Sequence, residues 1–179
     1  MNQLRIVGGQ WRSRRLRVAD VPGLRPTPDR VRETLFNWLG QAVDGWVCLD
    51  LFAGSGALGF EAASRGAAKV VLVEQDPRAY TVLKQNADLL GGAALECRKA
   101  DALRFLETTT ERYDLVLLDP PFRQDWLARI ETRLAQVLAK GACIYVEAET
   151  PVTEFAGLQA LKTGTAGQVH YQLFRGEVV

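Results

Sequence analysis

From Trp46 onward, short and nearly unbroken apolar runs alternate with stretches in which apolar residues return every three or four positions. Runs of the first kind read as strands buried on both faces of a parallel sheet, and stretches of the second kind as amphipathic helices. Strands are predicted at 46–51, 69–74, 95–98, 113–119 and 143–147, and helices at 57–64, 77–90, briefly from 101, and at 126–139. This alternation predicts an α/β fold with a doubly wound, mostly parallel sheet and right-handed crossovers. The end breaks the rhythm. Residues 158–162 and 169–175 flank Gly164-Thr165-Ala166-Gly167, which predicts an antiparallel hairpin and a sheet of seven strands in all.

The first forty residues follow a different pattern. Leu4-Arg5-Ile6-Val7 and Leu16-Arg17-Val18 alternate apolar with basic residues around Gly8-Gly9-Gln10-Trp11-Arg12-Ser13. A β-hairpin with one apolar face and one arginine face is expected. Pro22-Gly23 breaks the chain, so residues 1–24 are expected to form a basic extension and residues 25–179 the main domain. Thr27 is placed to cap a helix, with Pro28 in its first turn and Asp29 complementing its positive end. Val31, Leu35, Trp38 and Leu39 follow at helical spacing, and Gly40 stops it.

Charge sharpens this division. Residues 1–32 hold eight arginines against Asp20 and Asp29, a net +6, while the remainder carries 14 basic against 19 acidic residues, a net −5. Such asymmetry points the basic segment toward a polyanion. No apolar run approaches the ~20 residues of a membrane span, and the start of the chain lacks the apolar core of a signal peptide. A cytoplasmic location is therefore expected. Cys48, Cys97 and Cys143 are odd in number and widely spaced, so free thiols are expected. With His170 as the single histidine, no metal site is expected.

The first strand runs into Asp50-Leu51-Phe52-Ala53-Gly54-Ser55-Gly56-Ala57-Leu58-Gly59. Gly54, Gly56 and Gly59 fit G-x-G-x-x-G in a strand–turn–helix context, a nucleotide-binding loop. Glu74, at the end of the second strand, can accept hydrogen bonds from both hydroxyls of a ribose. These features alone suit a nicotinamide dinucleotide as well as S-adenosylmethionine. Asp50 separates the two, because a carboxylate at the loop repels a pyrophosphate and attracts an ammonium group. At ~4 Å even a well-screened pair of charges is worth about 1 kcal/mol. Asp101, just after the third strand, is placed to accept an adenine amino group. With Phe52, Gln75 and Ala102 beside them, these residues form the expected cofactor site, and S-adenosylmethionine is the expected cofactor.

The run 113–118 ends in Asp119-Pro120-Pro121-Phe122. Two prolines cannot continue a ladder, so a carboxylate, a rigid turn and an aromatic ring are held at the carboxyl edge of a central strand. That edge is where open α/β sheets bind ligands. The group suits methylation of an exocyclic amino nitrogen, whose lone pair is delocalised into a base. Asp119 and the Pro120 carbonyl can each accept one amino hydrogen, localising the pair, Pro121 stiffens the turn, and Phe122 can stack on the base. Proximity and orientation supply the rest.

Asp50–Gly59, Glu74, Asp101 and Asp119–Phe122 together resemble the motif series of class I S-adenosylmethionine-dependent amino methyltransferases, which implies their Rossmann-like fold. The stretch from Arg25 to Leu39, with Arg5-Ile6-Val7-Gly8-Gly9-Gln10-Trp11-Arg12, resembles the bacterial RsmD-type 16S rRNA (guanine-N2)-methyltransferases. The likeness is strong to about residue 125 and weak over the last thirty residues. It implies methyl transfer to the N2 amino group of a guanine in 16S rRNA, within an assembling small subunit. It also implies RNA contact by the hairpin, through Arg5, Arg12, Arg14, Arg15 and Arg17, with Arg25 and Arg30 nearby. Pro28 departs from the polar residue expected there. A DNA adenine-N6 methyltransferase and an NAD-dependent oxidoreductase are the competing readings, and a monomer is expected.

Overall fold

The computed structural model describes residues 2–40 and 43–176. In chain order the elements are β1 (Gln3–Arg5), β2 (Arg15–Arg17), α1 (Asp29–Trp38), β3 (Val47–Asp50), α2 (Ala57–Ser64), β4 (Lys69–Glu74), α3 (Pro77–Leu90), β5 (Leu95–Lys99), α4 (Ala102–Thr108), β6 (Tyr113–Leu118), α5 (Trp126–Leu134), β7 (Leu138–Ala148), β8 (Glu154–Phe155), β9 (Leu158–Ala166) and β10 (Val169–Arg175). β1 and β2 pair with each other, and the other strands form one sheet in the order β5-β4-β3-β6-β7-β10-β9-β8. The strands from β3 to β7 run parallel, whereas β10, β9 and β8 are antiparallel to their neighbours.

Side chains alternate across a strand, and the apolar runs divide accordingly. Cys48, Val70, Leu72, Leu115, Leu117, Cys143 and Tyr145 pack in one cluster with residues of α2, α3, α1 and the hairpin. Their neighbours Leu49, Val71, Val73, Val116, Leu118, Ile144 and Val146 pack in the other, with Leu106 of α4 and Ile130 of α5. The hairpin buries Leu4 and Leu16 and turns Arg5, Arg15 and Arg17 outward, as its alternation predicts. It is seated on the main sheet's helices. Gln10 N and Trp11 N donate to Ser64 O and Oγ at 2.8 and 3.0 Å, and Asn86 Nδ2 donates to Arg17 O at 2.8 Å.

Several boundaries differ from the sequence expectations. The sheet has eight strands rather than seven, because Glu154–Phe155 pairs with the start of β9. α5 ends at Leu134 rather than 139, and β7 begins at Leu138, where pairing with Tyr113 overrides the helical character of 135–139. β9 continues through Gly164 to Ala166 because Gly164 pairs with Tyr171 of β10. Thr27 does not cap α1. Pro28 occupies the N-cap position with no side-chain hydrogen bond, and the Thr27 hydroxyl is used elsewhere. Cys48, Cys97 and Cys143 are free. No helix is long and apolar enough to cross a membrane among the described residues.

The chain lays down β3, β4 and β5 in one direction, then returns to the far side of β3 with β6. At such a reversal the loops leaving adjacent strands diverge and open a crevice beyond their carboxyl ends.

Candidate active site

A cavity of about 690 Å³ occupies that crevice, a size suited to a small organic ligand. Its wall comes from the glycine loop after β3, Glu74 and Gln75 after β4, Ala100 and Ala102 around the start of α4, and Asp119–Phe122 after β6. Glu147, Trp126 and the segment from Val21 to Pro28 complete it.

Asp50 ends β3 almost fully buried. Its Oδ2 accepts the Gly59 N–H at 3.0 Å, while its Oδ1 is buried without a partner. Burial raises its pKa to about 7, helped by the Glu74 and Glu147 charges and opposed by the Gly59 N–H. A lone carboxylate oxygen on a cavity wall is a place for a cation. Two glycines make this geometry possible. Gly56 begins α2 at φ 87°, and a Cβ on it would lie 2.3 Å from the Phe60 ring. A Cβ on Gly59 would lie 2.6 Å from Leu72 and 3.1 Å from Asp50 Oδ2.

Glu74 is locked from both sides. Its Oε1 accepts Gly54 N–H at 2.9 Å and its Oε2 accepts Asp76 N–H at 2.8 Å. Asp76 in turn caps α3 through Arg78 N and Ala79 N. Each Glu74 oxygen keeps a lone pair for a further donor. Phe52 packs edge-on against Trp126, ring centroids 5.3 Å apart.

At the other end, Asp119 and Glu147 leave adjacent parallel strands, since Leu118 of β6 is in register with Val146 of β7. The two carboxyl groups therefore stand side by side on the cavity wall, close enough for each to shift the other's titration. Glu147 is buried, and its Oε1 also accepts from Tyr145 OH at 2.8 Å and Thr27 Oγ1 at 3.0 Å. Burial raises both pKa values, and the Glu147 charge raises that of Asp119 well above the ordinary range. Two carboxylates so close cannot both ionise readily. With Tyr145 and Thr27 donating to Glu147, the Glu147 anion is the better supported of the two. Beyond them Phe122 is 44% exposed, one of three large apolar side chains so exposed among the described residues. Arg123 and Asp125 follow at φ 65° and 53°. Left-handed backbone at residues other than glycine is strained, and such strain clusters at functional sites.

The crevice thus gathers Asp50, Phe52, Gly54, Glu74, Gln75, Ala102 and Asp119 to Phe122 around one space, with Arg25 on the wall beside them. Gly56 stands behind the wall as the start of α2. Asp101 is not on the wall. Its Oδ1 caps α4, accepting Leu103 N and Arg104 N at 2.9 and 3.2 Å. Of the arginines expected to meet RNA, Arg5, Arg12, Arg14, Arg15, Arg17 and Arg30 are exposed but lie away from the cavity. Arg5 pairs with Asp29 at 2.8 Å, and Arg17 donates to Gln85 at 2.9 Å. No group of three or more His, Cys, Asp or Glu side chains that could hold a metal occurs among the described residues.

Sequence reasoning missed Glu147, whose position beside Asp119 depends on the register of β6 and β7. Glu61 and Arg32 were missed for the same kind of reason. Glu61 is fully buried in α2, where it accepts Val7 N and Gly8 N at 2.9 Å and pairs with Arg32 at 2.9 Å and Arg65 at 3.2 Å. Arg32 also donates to Arg5 O at 2.7 Å and to Thr27 O at 3.0 Å. The only legible trace was a charged residue, Glu61, inside the otherwise apolar helix 57–63.

The sheet order, with a glycine loop opening α2 at its point of reversal, makes this a Rossmann-like class I methyltransferase fold. Comparison with known proteins agrees and narrows it. A crystallised RNA methyltransferase from Salinibacter ruber, in complex with S-adenosyl-L-homocysteine, shares the fold at TM-score 0.67 and 20% identity, covering 86% of this chain and 94% of its own. The chain belongs to the RsmD family. The family described as conserved hypothetical protein 95 matches residues 4–175. The ribosomal RNA small subunit methyltransferase D of Escherichia coli K12 is 44% identical over 180 residues, covering 98% of this chain and 91% of that one. The Haemophilus influenzae protein of the same name is 41% identical over 181 residues, covering 97% and 94%. The solved structure of the Escherichia coli yhhF protein superposes at TM-score 0.89 with 44% identity, covering 99% of this chain and all of that one.

Proposed function

We propose that this protein methylates the exocyclic N2 amino group of a guanine in 16S rRNA within an assembling small subunit, using S-adenosylmethionine. The observation that carries this reading is one cavity with an unpartnered, buried carboxylate oxygen of Asp50 on its wall and Asp119-Pro120-Pro121-Phe122 at another part of it. The family's rRNA methyltransferases support the substrate class and weigh against duplex DNA or a nicotinamide substrate. When bound, S-adenosylmethionine supplies an electrophilic methyl on a positively charged sulfur.

The residues present fit that group. Asp50 Oδ1 would receive its ammonium, Glu74 its ribose hydroxyls, and Ala100 and Ala102 would pack beside its adenine. Asp101, off the wall and capping α4, holds the start of that helix, and so Ala102, in place beside the adenine. Phe122 stacks on the guanine, a contact worth ~1–3 kcal/mol per base. Asp119 and the Pro120 carbonyl accept the two amino hydrogens, drawing the nitrogen toward tetrahedral geometry. The strained turn at Arg123 and Asp125 holds Phe122 and that carbonyl where they are. Arg12, Arg14 and Arg15, with no side-chain ion pairs of their own among the described residues, present a basic face to rRNA phosphates.

Calorimetric titration tests the first half of this reading. Binding of S-adenosylhomocysteine without binding of NADH is expected, and the reverse would overturn it. Labelled methyl groups should then pass to small-subunit particles and not to duplex DNA.

A further inference from the structure

Transfer to an amino nitrogen releases a proton, and the carboxyl pair at the ends of β6 and β7 offers it a route. We propose that Glu147 is a positioning residue of the transfer reaction: it holds Asp119 as a neutral acid whose free oxygen faces the substrate amine, and it receives the proton that Asp119 gives up when the amine loses its own. This rests on the reading of the protein as an amino methyltransferase.

The geometry sets the order of events. Glu147 sits on the cavity wall beside Asp119, one strand over, because Leu118 and Val146 are in register just before them. The groups facing this pair are Asp50 from β3, Tyr145 from the same strand, Tyr171 from β10 and Thr27 ahead of α1. Two of them, Tyr145 and Thr27, donate to Glu147 and favour its anion. One proton therefore lies between the two carboxyl groups, on the Asp119 side, leaving the other Asp119 oxygen a carbonyl-like acceptor.

As the amino lone pair forms the N–C bond, the pair of the broken C–S bond stays on sulfur, and the nitrogen carries one proton too many. That proton passes to the accepting oxygen of Asp119, and the proton already shared moves to Glu147. The pair begins with one proton and ends with two, and it returns one to water after the product leaves. Thr27 ties this relay to the N-terminal segment, because its carbonyl is held by Arg32, which also binds the Arg5 carbonyl.

The test uses the full-length protein with Glu147→Gln and Tyr145→Phe. Glu147→Gln should lower kcat on the order of 10², while the Kd of S-adenosylhomocysteine and the KM for the RNA particle move by no more than about twofold. Wild-type kcat should fall at low pH as Glu147 protonates. Tyr145→Phe removes a donor that favours the Glu147 anion, so it should move that fall to higher pH, a shift that loss of packing alone does not produce. A third readout needs no turnover. The native pair binds its proton more tightly than the unfolded chain does, so Tm of the ligand-free protein falls as pH rises above the ordinary carboxylate range. Glu147→Gln should make that fall shallower. Wild-type kcat and pH profile in Glu147→Gln, an unmoved profile in Tyr145→Phe, or an unchanged dependence of Tm on pH would each overturn the proposal. Failure of the wild-type protein to methylate any nucleic-acid amine would instead overturn the reading beneath it.

Discussion

Asp50 at the end of β3 and Asp119 at the end of β6 both line the cavity, and the proposed function gives them different tasks. If Asp119 meets the amine as proposed, Asp119→Ala should lower the transfer rate by on the order of 10²–10³, as for one preorganised polar contact, and leave cofactor affinity nearly intact. Single-turnover rates beside calorimetry check this, and a collapse of cofactor affinity would move Asp119 into the cofactor site. In the proposed role Asp50 meets the cofactor's ammonium, and its pKa, raised to about 7 by burial, makes binding depend on pH. The ligand-free protein keeps the Asp50 proton up to that pH, and an ammonium prefers the anion. Affinity should rise with pH and reach its plateau above 7, and at pH 6 it should be about tenfold weaker. The same raised pKa makes the ligand-free fold lose stability as pH rises from the ordinary carboxylate range to about 7. Calorimetry at pH 6 and pH 8 reads the first effect, and equal affinities would remove Asp50 from the ammonium site. Both aspartates were legible in the sequence because each follows an apolar run and precedes residues that must leave the sheet. Glu147 was not, because its role depends on a neighbour 28 positions away.

Among the elements, the N-terminal hairpin and α1 depend on one buried pair. Arg32 and Glu61 are both essentially without solvent exposure. The pair joins α1 to α2, while Glu61 holds the backbone of Val7 and Gly8 and Arg32 that of Arg5. Breaking a buried pair by removing one partner strands the other charge, typically at a loss of about 3–5 kcal/mol. Because Arg65 and the Val7 and Gly8 N–H groups still face Glu61, Arg32→Met should lower the unfolding free energy by about 3 kcal/mol, the low end of that range, in urea titration, and a loss below about 1 kcal/mol would contradict the clamp. In sequence Arg32 looked like one more member of a basic surface, since spacing alone does not reveal a buried acid on another helix. The helices and central strands were legible because period and burial agree in them. The α5–β7 boundary was not, because residues 135–139 suit a helix locally and only pairing with β6 makes part of them strand.

For the molecule as a whole, the excess of positive charge lies in the first 32 residues, less the buried Arg32. The hairpin carries most of it on an exposed face, attached to the same segment that reaches the cavity through Arg25 and Thr27. Replacing Arg12, Arg14 and Arg15 with alanine should weaken binding of small-subunit RNA. It should also flatten the salt dependence by up to about 0.7–0.9 for each phosphate that is no longer neutralised. Filter binding over a salt series reads this, and an unchanged slope would leave the face a solvated surface. The charge division was legible in composition; that Arg5 is taken up by Asp29 and Arg17 by Gln85 was not, because both partners come from other elements.

Methylation of guanine N2 is tested most directly by incubating small-subunit particles from a strain lacking this gene with the protein and labelled S-adenosylmethionine, then digesting the RNA to nucleosides. Label in N2-methylguanosine at a single position of 16S rRNA is expected. Label in N6-methyladenine, or none in RNA despite tight cofactor binding, would contradict it.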